Sequence, residues 1–283
     1  MAPIVEPGSV IGKLKPEIAE ETGLDEVEII AVGCHDTANA VAAVPATGKN
    51  WAYLSSGTWS LIGIENNGPL LEPNLVNEFT NEGGVNNKIL FLKNLTGLWL
   101  LQEMKKLWEK GNEILNYDEI INSALESKKF VCYIDPDNKL FVNPDNMMNA
   151  INDYCYKTGQ EIPSSKGEYA RSILESLAYK YKSALSKTEK FSGRNIETIH
   201  IVGGGSKNKL LNQLTADATG RKVLSGPVEA TALGNIIMQA IAKGKIKSLE
   251  EGRELVSISF PQESYLPNEN NSKMFDSRST LIK

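Results

Sequence analysis

A run of strand-forming residues, Thr198-Ile199-His200-Ile201-Val202, passes straight into Gly203-Gly204-Gly205 and then into a helix-forming stretch, Lys207 to Thr219, that Gly220 ends. This succession constrains the chain more than any other feature. Ser206 is expected to cap the helix, its hydroxyl accepting a free backbone N–H of the first turn. A second unit of the same kind follows at once: Arg221 to Leu224 reads as a short strand, and Glu229 to Lys243 as a helix ended by Gly244. Strands alternating with helices in this way predict an α/β protein.

The earlier part of the chain yields to the same rules. Pro16 to Thr22 predicts a short helix stopped by Gly23, Glu28 to Gly33 a strand, and the small-residue run Ala38 to Val44 a helix closed by Pro45. Trp51 to Leu54 and Trp59 to Ile64 flank Ser55-Ser56-Gly57-Thr58, which predicts a hairpin. Residues 65–90 read as irregular. Leu98, Leu101, Met104, Lys105 and Trp108 follow helical spacing within Gly97 to Lys110, and a second helix is expected over Tyr117 to Glu126. Residues 130–163 are expected to be short strands and turns, with strands at Phe130 to Ile134 and Leu140 to Val142. Tyr169, Ile173, Leu177, Tyr181 and Leu185 mark the buried stripe of a long helix over Lys166 to Lys190. The polar tail from Pro261 carries a terminal helix from Asn271.

Composition excludes several function classes. Thirty Lys and Arg against 35 Asp and Glu give a net charge of −5, which disfavours nucleic-acid binding, since that needs clustered cations. No apolar run approaches the ~20 residues of a membrane span. Met1-Ala2-Pro3-Ile4-Val5-Glu6-Pro7 has neither the basic nor the apolar region of a secretory signal, so a cytoplasmic location is expected. Three cysteines, Cys34, Cys132 and Cys155, are too few for a disulfide scaffold and are expected as thiols; two histidines nearly exclude a zinc enzyme built on histidine pairs.

Three segments invite chemistry, and residue types alone leave each open. The Gly203–Gly205 bend before a helix N-terminus suits a phosphate or nucleotide, or is a plain tight connection; it is neither a dinucleotide fingerprint nor a P-loop. Ser55-Ser56-Gly57-Thr58 offers hydroxyls and backbone N–H groups to phosphate oxygens, or is an ordinary turn. Asp36, between a strand and a helix, is a general base at a crevice or a helix cap. Cys34-His35-Asp36 does not read as a triad, because successive strand residues face opposite ways.

Together these segments resemble the FGGY family of carbohydrate kinases. The resemblance is carried, in order, by His35-Asp36-Thr37, Tyr53-Leu54-Ser55-Ser56-Gly57-Thr58-Trp59-Ser60, Thr80-Asn81-Glu82-Gly83-Gly84, Lys93-Asn94, Gly97-Leu98-Trp99-Leu100-Leu101-Gln102, His200 to Ser206 with Leu211-Asn212-Gln213, and Gly226 to Asn235. It covers about residues 7–260 and only the second of the family's two actin-like halves. Within the family the blocks are most like the branch that phosphorylates L-rhamnulose.

The resemblance implies an actin-like (ribonuclease H-like) α/β fold. It implies that residues 1–47 end an N-terminal domain, 48–260 form the ATP-binding domain and 261–283 a tail. It makes Asp36 the catalytic base, with His35, Asp36, Thr37 and Asn94 at the sugar and Thr58, Gln102, Gly203, Gly204 and Gly205 at ATP. Mg²⁺ is implied with ATP, with no ligand set evident in this chain. The chain is expected to be a fragment or split-gene product that needs the N-terminal half or self-associates. The strand at Glu28 to Gly33 and the small-residue helix after Asp36 are then expected to expose apolar faces. Other expectations weighed are a non-catalytic nucleotide-binding fragment, a kinase for another ketose or polyol, and an actin-like structural protein.

Overall fold

The computed structural model describes residues 4–71, 78–111 and 114–277. Parts of the irregular stretch 65–90, and the outer ends of the 1–47 and 261–283 segments, lie outside the described residues.

An antiparallel ribbon, β1 (Val10–Lys13) and β2 (Glu28–Ile30), brackets helix α1 (Pro16–Thr22). Gly23 ends that helix at φ 68°, the left-handed conformation glycine adopts freely. Helix α2 (Asp36–Ala42) precedes the hairpin β3 (Trp51–Ser56) and β4 (Trp59–Asn66). Then come β5 (Thr80–Gly83), β6 (Ile89–Thr96), α3 (Trp99–Trp108), α4 (Tyr117–Glu126), α5 (Met147–Lys157) and the long α6 (Lys166–Ser192). The chain closes with β7 (Thr198–Val202), α7 (Lys209–Thr219), β8 (Lys222–Ser225), α8 (Ala230–Ala242), α9 (Leu249–Ser259), β9 (Glu263–Tyr265) and α10 (Glu269–Ser277).

Among the described residues the main sheet runs β5-β6-β4-β3-β7-β8-β9. Strands β3, β7 and β8 are parallel, and the other pairings are antiparallel. Successive strand residues face opposite ways, so strands apolar at consecutive positions require cover on both faces. Ala52 and Leu54 of β3, Phe91 and Leu95 of β6, and Ile199 and Ile201 of β7 enter one core, with α3, α4, α6 and α7. Trp51, Tyr53, Leu90, Leu92 and Val202 enter the other, with α2, α8 and α9. Phe275 of α10 is fully buried in the first core, and β9 extends the sheet beyond β8.

Several expectations need correction. The strand expected over Phe130 to Ile134 does not form. Its backbone donors are served by side chains instead: Phe130 N–H by Glu175 at 2.8 Å, Tyr133 N–H by Gln160 at 2.8 Å and Ile134 N–H by Ser176 at 3.1 Å. Leu140 lies in a short 3₁₀ turn, and Cys155 lies within α5. Strand β5 arises inside the stretch expected to be irregular. The cap before α7 is Asn208, whose side chain accepts the Leu211 N–H at 3.0 Å; Ser206 sits one turn earlier in a 3₁₀ segment.

The helix after Asp36 does not lack a partner. Thr37 to Ala42 are all buried, and α2 meets α8 backbone to backbone, because Gly234 presents no side chain to the Asn39 carbonyl. The strand expected over Glu28 to Gly33, which spans Glu28–Ile30, exposes Ile29 at 39%, and its ribbon partner β1 exposes Val10 at 46% and Ile11 at 60%. No helix among the described residues is long and apolar enough to cross a membrane.

Candidate functional site

The 55–58 bend and the 203–205 bend, far apart in sequence, meet at the C-terminal ends of the adjacent parallel strands β3 and β7. Their approach is close enough to exclude side chains. A Cβ on Gly205 would fall 2.1 Å from Ser56 Oγ, and one on Gly203 would fall 3.0 Å from the Ser56 carbonyl. Gly203 also holds φ 85° and donates its N–H to the Pro227 carbonyl at 3.2 Å. The tip of the hairpin is braced from the other side: Gly97 N–H donates to the Thr58 carbonyl at 3.0 Å and Leu98 N–H to the Gly57 carbonyl at 2.9 Å. Beneath it, the Tyr181 hydroxyl of α6 lies 2.7 Å from Ser60 Oγ, both fully buried. Burial pushes that phenol up to about 12, so it stays a neutral hydrogen-bonding strut.

Two cavities open from the Gly57-Thr58 tip. One, of about 390 Å³, is lined by Gly57, Thr58, Gln102, Gly204, Gly205, Asn208 and the apolar Leu98, Leu101 and Ile121. Thr58 Oγ1 donates to Gln102 Oε1 at 3.2 Å across its mouth. The other, of about 410 Å³, is lined by His35, Asp36, Thr37, Ser55, Ser56, Gly57, Thr58, Trp59, Glu82 and Asn94. All nine sequence-derived site residues but Gly203 line one cavity or the other; Gly203 shapes the bend from behind.

The segment bearing Asp36 is held by a residue the sequence reading passed over. Asn39 accepts the Gly33 N–H at 3.0 Å and donates to the Gly33 carbonyl at 2.7 Å and the His35 carbonyl at 3.2 Å. A buried amide on the first turn of α2 thus fixes the loop that leads into it, a pairing visible only in space. The cap of α2 is His35, whose Nδ1 accepts the Thr37 N–H at 3.2 Å. Asp36 is the first residue of the helix; its Oδ1 accepts the same N–H at 2.7 Å, and its side chain is 78% exposed toward the cavity. At the far end of α2, Arg253 of α9 donates to the Val41 carbonyl at 2.9 Å, pairs with Glu65 at 2.7 Å and lies over the Trp51 ring.

His200 lines neither cavity. It is buried on β7, 3.3 Å from the Gln262 amide, and burial, aided by Arg253 and Lys222, lowers it to about 4, so it is neutral at pH 7.

Chemically, one cavity pairs a glycine- and hydroxyl-lined rim with apolar walls, as a nucleotide requires. The other presents two carboxylates, an imidazole, an amide and an exposed indole, groups that suit a polyhydroxylated ligand. Gly57 and Thr58 form the rim that the two cavities share.

Comparison with known proteins gives the same pattern a lineage. The FGGY family of carbohydrate kinases, C-terminal domain, matches residues 52–243. The chain is 46% identical over 267 residues to a rhamnulokinase of Bacteroides thetaiotaomicron, covering 94% of this chain and 54% of that protein. It is 42% identical over 283 residues to a rhamnulokinase of Bacillus subtilis, covering 100% of this chain and 56% of that protein. The solved structure of a xylulose kinase from Rhodospirillum rubrum superposes with a TM-score of 0.67 at 17% identity, over 97% of this chain and 54% of the other. A gluconate kinase from Lactobacillus acidophilus gives 0.69 at 17% identity, over 97% and 54%. The fold is therefore the actin-like one of these kinases. The chain spans about half the length of the curated relatives it matches.

Proposed function

The chain belongs to the FGGY family of carbohydrate kinases, and from that premise we propose that it supplies the general base and the ATP site of a kinase that converts L-rhamnulose to its 1-phosphate. The observation that carries this reading is the pair of cavities sharing the Gly57-Thr58 rim, with Asp36 in one and the glycine bend in the other. In this reading residues 1–47 complete a preceding domain, 48–260 bind the nucleotide and 261–283 form the tail.

Phosphoryl transfer demands positioning and charge stabilisation more than covalent chemistry from the protein. The triphosphate lies across the rim, its oxygens taking hydrogen bonds from the Thr58 hydroxyl and from backbone N–H groups of the two bends. Leu98, Leu101 and Ile121 cover the base, with Gln102 at its edge. The acceptor lies beside His35, Thr37 and Asn94. As its C1 oxygen attacks the γ-phosphorus, its proton passes to the Asp36 carboxylate, the bond from the γ-phosphorus to the β–γ bridging oxygen breaks, and ADP leaves. Among the described residues the contacts of the Asp36 carboxylate fall on Oδ1, from the Thr37 N–H at 2.7 Å and the His35 ring at 3.1 Å, which leaves Oδ2 for that proton. The exposure of Asp36 fits a base that a second domain must cover to exclude water.

Mg²⁺ bound with the nucleotide would offset the phosphate charge.

The test is ATP consumption with L-rhamnulose, by the chain alone and after adding a separately made N-terminal half. Negligible turnover alone and robust turnover together are expected. Nucleotide binding without turnover in either mixture would leave a non-catalytic module. Turnover with a different ketose or polyol would replace the acceptor.

A further inference from the structure

The acceptor cavity contains one carboxylate that this mechanism does not use. Glu82 stands on β5, an edge strand of the sheet, and its Oε1 accepts the Thr80 hydroxyl at 3.3 Å. Its Oε2 is buried and has no hydrogen-bond partner among the described residues. His35 Nδ1 stands 3.8 Å away, beyond hydrogen-bonding reach, and already accepts the Thr37 N–H. An ionised carboxylate is an acceptor only, with about four lone-pair sites, so an unserved buried oxygen calls for an O–H or N–H donor.

Glu82 faces the same cavity as Asp36, Asn94 and Trp59. The Trp59 indole is 59% exposed, a flat apolar surface suited to the C–H face of a sugar, while the carboxylate suits its hydroxyl edge. We infer that Glu82 is a specificity-determining residue: its side chain, 31% exposed into the cavity, turns on sugar binding so that Oε2, buried in the free chain, accepts a hydrogen bond from an acceptor hydroxyl other than the attacking one, and so directs the attacking hydroxyl toward Asp36. The inference rests on the kinase reading above. It gives that reading a chemical rule, which is that the acceptor must carry a hydroxyl at one fixed place along its chain besides the one phosphorylated.

A competing donor for Oε2 is the Tyr53 phenol. It is buried and has no hydrogen-bond partner among the described residues; burial first, and then the nearby Glu82 charge, push its titration upward. If Tyr53 served Oε2, Glu82 would be structural.

Trp59 provides the readout. L-rhamnulose and its monodeoxy analogues are titrated into the chain while indole fluorescence is followed, with Trp59→Phe as the control that removes the signal. Nucleotide affinity is measured in parallel with a non-hydrolysable ATP analogue. One monodeoxy analogue is expected to bind the unmutated chain roughly 10- to 100-fold more weakly than the parent sugar. Glu82→Gln and Glu82→Ala are expected to lose a similar factor for the parent sugar, and Glu82→Ala to show no further loss with that one analogue. Nucleotide affinity should stay within about twofold throughout. The analogue series on the unmutated chain needs no variant to fold. The inference is overturned if every analogue binds like the parent, or if Glu82→Ala leaves sugar affinity unchanged and merely matches Tyr53→Phe in lost stability. It is also overturned if no sugar response occurs while the nucleotide binds, an outcome that leaves the nucleotide site standing. Loss of both sugar and nucleotide binding would remove the kinase reading and the inference with it.

Discussion

Gly205→Ala tests whether the two bends are pressed together. Its Cβ would meet Ser56 Oγ at 2.1 Å, Ser56 Cβ at 2.7 Å and the Ser56 carbonyl oxygen at 2.9 Å. Rotating the serine relieves only the first clash; the other two involve atoms that the β3 backbone fixes. Restoring ordinary contact at 3.4 Å requires the bends to part by about 0.5 Å at the carbonyl and 0.7 Å at Cβ, even after the hydroxyl has turned away. Overpacking of this kind costs about 1–3 kcal/mol. If the triphosphate binds only when the rim is closed, the same energy appears as roughly 5- to 150-fold weaker nucleotide binding. Calorimetric titration of the chain with a non-hydrolysable ATP analogue measures the second quantity, and urea unfolding the first. Gly204→Ala controls the first, because a Cβ there meets nothing within 4 Å and stability should be unchanged. Equal stability of the two variants, or undiminished nucleotide affinity in Gly205→Ala, would refute the reasoning.

Three further outcomes follow from other parts of the molecule. In the complete kinase, Asp36→Asn should keep nucleotide affinity and lose turnover by roughly 10²–10⁴, as expected for a general base; normal turnover would reduce Asp36 to a helix-start residue. Gly234→Ala would place a Cβ 1.8 Å from the Asn39 carbonyl oxygen and force α2 off α8, so unfolding should cost about 1–3 kcal/mol less and turnover should fall with nucleotide affinity intact; an unchanged melting curve would contradict this. His200 is held neutral down to about pH 4, whereas in the unfolded chain it takes up its proton near the ordinary imidazole value of about 6.5, so its contribution is fully present above that pH and is lost as pH falls through about 4. The difference corresponds to about 3 kcal/mol, and His200→Gln should flatten the pH dependence of urea unfolding between those limits.

What was legible in the sequence was local. The glycines after Thr22, Thr219 and Lys243 end their helices as read, and the hairpin around Gly57 and the long apolar stripe of α6 were plain from spacing. Phe130 to Ile134 misled because strand-like composition does not say where the backbone donors go, and here α6 and Gln160 take them with side chains. Helix α5 was hidden by its polar Asn149, Asn152 and Asp153, since only Met147, Ile151 and Cys155 of it are buried. At the site, residue types suggested Asp36 and the two bends, but the supports were invisible. Asn39 locks the loop before it, Arg253 fastens α2 from α9, and Tyr181 reaches under the hairpin from α6, each across a separation that spacing does not encode. Glu82 stood inside a recognised block without a role until its side chain was seen to line the acceptor cavity with one buried oxygen unserved.

The central claim is that one triphosphate touches both bends while its γ-phosphate faces Asp36. Amide chemical shifts of the isotope-labelled chain, titrated with the Mg²⁺ complex of a non-hydrolysable ATP analogue, test it directly. Concerted saturation at one affinity is expected for Gly57, Thr58, Gly204 and Gly205, with a smaller response at Asp36 and Thr37. Shifts confined to one bend, or saturating at different concentrations at the two, would contradict it.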